Sequence, residues 1–169
     1  MRRYGMRVVM CAILWPLLSG CVGYRLGTTL PPGIRSLYVP AFVNRTGEPQ
    51  VEVAATRAAI QEFQQDGTLR IVSEEAADGR LDVELLEFRL EPLRYDADNS
   101  RTTSEYRLII IARVDFYRCG TGEMLTSRSV RGEAAFSPSG DLSLGKLEAL
   151  PDAAEDLAHH IVKTVVEYW

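Results

Sequence analysis

Apolar and polar positions alternate most regularly between Glu105 and Tyr117, where Leu108, Ile110, Ala112, Val114 and Phe116 share one parity. A period of two predicts a strand, and Ile109 and Ile111 make its middle apolar on both faces, which suits the centre of a sheet. Arg80–Leu90 begins the same way with Leu81, Val83 and Leu85, then continues on the other parity with Leu86, Phe88 and Leu90. One extra residue in a strand produces such a change of phase, so a β-bulge is predicted there. "RCGTGE" then turns the chain into Met124–Ala135, an alternating strand that is polar on at least one face. Ile34–Phe42 and Leu69–Val72 predict two shorter strands, the first at a sheet edge because of Pro40.

Helical spacing replaces alternation in two places. Val51–Asp66 sets Val53, Ala59, Ile60 and Phe63 on one stripe, with Pro49 suited to a first helical position and Gly67 to the position after the last. "FSPSGDLSLGK" reads as a loop, after which Pro151 opens a helix to Trp169 with Ala154, Leu157, Ala158, Ile161, Val165 and Tyr168 inward. The order β-α-β-β-β-β-α predicts an α+β two-layer sandwich. Two helices would cover one face of a mostly antiparallel sheet of four to five strands.

The N-terminus follows neither pattern. Residues 1–7 carry three arginines, and Val8–Leu18 is an apolar run of 11 residues broken only by Pro16. A spanning helix needs about 20 residues, so this order of basic, apolar and small segments reads as a secretory signal. Leu18-Ser19-Gly20-Cys21 resembles the bacterial lipobox, which implies cleavage before Cys21 and acylation of its sulfur and new amino group. Several acyl chains anchor stably where one is marginal. Val22 is not the aspartate that retains such lipoproteins in the inner membrane, so the resemblance implies the periplasmic face of the outer membrane. The expected organisation is a signal peptide over 1–20, a lipidated tether over 21–33 rich in Gly, Thr and Pro, and one domain over 34–169. Cys11 leaves with the signal and Cys21 is acylated, so Cys119 has no partner for an intramolecular disulfide.

Charge narrows the function classes. The chain carries 19 basic and 23 acidic residues; without the three arginines of residues 1–20, 16 basic residues face the same 23 acids. An acidic body argues against nucleic-acid binding, which needs a basic footprint. No nucleophile elbow, P-loop or dinucleotide fingerprint occurs, and no cofactor is expected. His159 and His160 are adjacent on the last helix, about 100° apart, and do not form the i, i+4 pair of a zinc helix. Asn44-Arg45-Thr46 matches a glycosylation sequon, for which turn chemistry is the better account in a bacterial lipoprotein. Arg107 and Arg113 share a parity on the central strand, Arg128 lies on the next strand, and Arg89 and Arg94 end the bulged one. On an uncovered sheet face they would form a basic patch for an anionic ligand. Cross-strand pairing with Asp82, Glu84 or Asp115 is the competing account.

Several short stretches, in order, resemble the LptE family of lipopolysaccharide-assembly lipoproteins. They are Cys21 followed by Gly23-Tyr24-Arg25-Leu26, then Val39-Pro40, Phe42, Asn44 and Thr46, then Ala77-Asp78. "EYRL" at Glu105–Leu108, "DLAHHIV" at 156–162 and the near-terminal Trp169 complete the pattern, with Val22 as one extra residue. The resemblance implies a non-enzymatic protein that sits in the lumen of the LptD β-barrel, plugs it, assists its assembly and contacts lipopolysaccharide. The second reading is an accessory lipoprotein of another envelope export or lipid-transport complex.

Overall fold

A computed structural model of the chain describes residues 30–95, 103–138 and 140–167. The signal segment, Cys21, the motif over 23–26, Tyr168 and Trp169 lie outside these residues. In chain order the elements are β1 (Ser36–Tyr38), β2 (Val43–Asn44), α1 (Val51–Asp66), β3 (Arg70–Ile71), a 3₁₀ turn (Glu74–Ala76), β4 (Gly79–Tyr95), β5 (Thr103–Arg118), β6 (Met124–Phe136) and α2 (Leu142–Val166). The fold is α+β. Among the described residues no helix is long and apolar enough to cross a membrane.

The sheet runs β3-β1-β4-β5-β6, with β2 beside β4 farther along. It is mixed: β4, β5 and β6 form long antiparallel ladders, whereas β1 is parallel to β3 and β4, and β2 is parallel to β4. This corrects the edge placement of the first strand, because β1 lies between two neighbours. Pro40 does not prevent it, since β1 ends at Tyr38 and the missing N–H interrupts no ladder. Connecting β1 to β3 through α1 is a βαβ crossover, and this imposes the parallel pairing. The phase change in β4 is a bulge: the register shifts between Leu85 and Glu87, leaving Leu86 as the additional, 38% exposed residue.

Both helices pack on the face carrying Leu108, Ile110, Ala112, Val114 and Phe116, all fully buried. The α1 stripe is rotated from the expected one. Val51, Ala55, Ala58, Ala59 and Phe63 are buried, while Val53 is 52% exposed. Alanines carry little weight in a hydrophobic pattern, yet their small size lets α1 lie close to α2. Pro49 is not the first helical residue, because Gln50 precedes Val51 in the left-handed region (φ 67°). Gly67 does close the helix, at φ 71°.

α2 starts earlier than Pro151. Asp141 caps it by accepting the Ser143 N–H at 2.8 Å, and the segment read as a loop forms its first turns. Pro151 lies inside the helix on its exposed side, where water can solvate the Leu147 carbonyl that loses its donor. Close helix–sheet contact requires Gly132: a Cβ there would lie 2.5 Å from the Leu157 Cβ and 2.6 Å from the Ala153 carbonyl oxygen.

Two of the short motifs prove to be local clips. The Asp78 carboxylate accepts the N–H groups of Arg35 and Ser36 at 3.0 Å and the buried Ser36 hydroxyl at 2.7 Å, tying the start of β4 to β1. In the Asn44-x-Thr46 turn, the Asn44 amide donates to the Glu48 carbonyl (2.8 Å) and to Glu52 of α1 (2.7 Å). Its oxygen accepts from the Thr46 N–H and hydroxyl. The sequon-like residues thus do turn chemistry.

Candidate functional site

The helices leave the second face of β4–β6 open, and register decides what stands on it. Arg107, Ile109, Arg113 and Asp115 alternate with the core residues of β5 and therefore share this face. They lie opposite Glu91, Arg89, Glu84 and Asp82 on β4. On β6 their opposites are Ala135, Glu133, Ser129 and Ser127. Arg107 and Arg113 are thus brought onto one face.

Arg128 is not with them. It lies opposite the core residue Val114, on the parity of Gly132, and so belongs to the helix side. The reason is a phase that only the register reveals: on β6 the odd-numbered residues are the open-face ones. Arg131, which the pattern did not single out, takes the place expected for Arg128.

The open-face cations are matched by acids. Arg113 pairs directly across the ladder with Glu84 and along its own strand with Asp115 at 3.2 Å. Glu84 also receives Arg45 at 3.1 Å, and Asp115 accepts the Ser127 hydroxyl. Farther along, Arg107 lies 3.7 Å from Glu133, which Arg131 also reaches, and Arg89 bridges Glu87 (3.0 Å) and Glu91 (3.2 Å). Arg94 holds Glu105 at 3.8 Å. Asp82 faces Asp115, and each is compensated by its own arginine, Arg80 at 2.8 Å for Asp82. The Arg80 guanidinium is held above its ordinary range, chiefly by its hydrogen bond to Asp82. Burial, then Asp115 and Asp82, push the Tyr117 phenol upward.

Ile109 is fully buried although no helix among the described residues covers this face. Its cross-strand neighbours are Arg89 and Glu133, charged residues whose aliphatic stems can cover an apolar side chain while their heads stay in water. Arg107 and Arg113 remain 36% and 49% exposed. Exposed pairs of this type contribute about 0–1 kcal/mol each. A phosphate able to engage a guanidinium bidentately can therefore compete for it.

The remaining candidates do not converge. His159 reaches Glu62 on α1 at 3.2 Å, and His160 lies 3.8 Å from Asp156. Cys119 is an exposed free thiol in the β5–β6 turn, pushed up by burial, and its N–H donates to the Asp78 carbonyl at 2.9 Å.

Compared with known families, residues 34–165 match the profile of LptE, described as lipopolysaccharide-assembly. The chain belongs to the LptE family. Among curated proteins no sequence match is found. Solved structures share the fold at low identity. Uncharacterized lipoprotein B from Nitrosomonas europaea is 13% identical, with a TM-score of 0.53 over 81% of this chain and 84% of that one. A protein from Xanthomonas campestris is 12% identical, with a TM-score of 0.56 over 80% and 88%. A minor lipoprotein from Acinetobacter baumannii is 10% identical, with a TM-score of 0.51 over 78% and 92%. The LptE match spans both clips and all the strands of the sheet, and the family's description makes this a lipopolysaccharide-assembly chain.

Proposed function

We propose that the chain is a non-enzymatic outer-membrane lipoprotein. In this reading Cys21 is its acylated N-terminus, and the domain stands at the periplasmic face as partner and plug of the LptD β-barrel. The two together deliver lipopolysaccharide to the outer leaflet. The observation that carries the reading is the family match over residues 34–165. The lipobox-like Leu18-Ser19-Gly20-Cys21 supports the anchor. On the open face, Arg107 and Arg113 are the groups proposed to exchange carboxylate partners for the phosphates of lipopolysaccharide.

Affinity purification of the full chain from detergent-solubilised envelopes tests the partner. A large β-barrel is expected to copurify. Recovery with inner-membrane transporter subunits instead would favour another envelope complex and overturn the reading. Cys21→Ser is expected to move the protein from the membrane to the soluble periplasmic fraction.

A further inference from the structure

Among the described residues, β6 has β5 on one side and no strand on the other. Its register is unbroken from Thr126 to Phe136, so its backbone groups alternate between the ladder and the outer edge. Glu133 shows which positions face outward: its N–H leaves the sheet and donates to the Asp156 carboxylate of α2 at 2.9 Å. Ser129 and Arg131 share that orientation. They open onto a trough of about 450 Å³ whose far wall is Asp156, His160, Lys163 and Thr164. Among the described residues nothing across the trough accepts from those two N–H groups. Asp156 thus does for Glu133 what a neighbouring strand's carbonyl would do, and the two preceding outward positions lack such a stand-in.

The charge of the trough points to the occupant. Asp156 is committed to the Glu133 amide, and Glu133 itself lies against Arg131 and Arg107. Lys163, by contrast, has among the described residues only a long 3.9 Å side-chain contact with Glu167 on its own helix. Two outward amides with no acceptor among the described residues, beside an accessible ammonium, suit an extended peptide bearing an acidic side chain. We propose that this trough receives an extended, acid-bearing segment of the partner barrel's chain, which adds to β6 as a further strand. The proposal rests on the barrel partnership given above and names the surface that serves it.

Residue-resolved amide hydrogen exchange on the full chain, alone and copurified with the barrel, tests this directly. In the complex Ser129 and Arg131 are expected to exchange about tenfold more slowly or more, while the already bonded Glu133 amide changes little. Ser129→Pro removes one outward N–H at an edge position where proline is tolerated. Lys163→Glu reverses the ammonium. Each is expected to lower barrel recovery about threefold or more, with the circular dichroism of the free chain unchanged. Equal exchange in the two samples overturns the proposal even if a variant fails to fold. So does full recovery with both folded variants. A wild-type chain that recovers no barrel overturns this proposal and the partnership together, which separates the two failures.

Discussion

Asp78 carries more of the fold than its half-buried position suggests. It accepts three hydrogen bonds from Arg35 and Ser36, and its own N–H donates back to the Ser36 hydroxyl at 3.0 Å. These bonds, the Ser36 hydroxyl first and the Arg35 amide next, hold its carboxyl below the ordinary range. A depressed carboxylate stabilises the fold above its unfolded pKa of about 3.9, and the contribution is lost as pH falls through the lower folded value. Asp78→Ala is expected to cost about 2 kcal/mol at pH 7, since it leaves the partly buried donors of β1 unpaired. Urea unfolding from pH 7 down to pH 2 should show the wild type converging on the variant at the acid end. A constant gap would contradict the assignment.

Residue-level reading of the sequence succeeded where the signal was local. The bulge at Leu86 follows from a parity change within one strand, and Gly67 from a single position after a helix. It missed Arg131 and misplaced Arg128 because the facing of β6 depends on register across a turn. No alternation within β6 alone supplies that register, for both parities of that strand carry polar residues.

At the scale of elements, α2 is where pattern and structure part most. Proline at a first helical position is a good start signal, and "SPSG" directly before Asp141 is a good loop signal; together they outweigh the cap. The cap makes a discriminating prediction. Asp141→Ala is expected to lower stability by about 1 kcal/mol in thermal or urea unfolding, whereas a helix beginning at Pro151 would be indifferent to it. Contact between α2 and the sheet gives a second prediction. Gly132→Ala forces a methyl group against helix backbone and Leu157, and is expected to cost about 1–3 kcal/mol. Gly47→Ala, with nothing within 4 Å of the added carbon, provides the comparison in the same assay and should change little.

The whole molecule is asymmetric: one face of the sheet is closed by two helices and the other is a lattice of matched charges. The fold class, both layers and the interior position of β5 were legible because they depend on periodicity, although the middle strand is β4. The mixed sheet was not, since β2 and β3 span two residues each and their parallel pairing is set by the α1 crossover. The charge lattice gives the function its test at this scale. Arg107→Gln with Arg113→Gln is expected to weaken lipopolysaccharide binding about tenfold, and the corresponding lysine pair to recover only part of it. Arg128→Gln, on the helix side, should leave binding unchanged; an equal loss there would move the contact to that face.

The Asp78 clip also has a mechanical meaning. A pull on the N-terminal segment reaches the domain through Leu30 and the residues after it, and so loads β1 before any other strand. β1 spans only Ser36–Tyr38, too short to resist shear through its own ladder. Asp78, the residue immediately before β4, grips Arg35 and Ser36 at the start of β1. Tension on a tethered chain would therefore pass from a three-residue strand into the longest one through a single carboxylate.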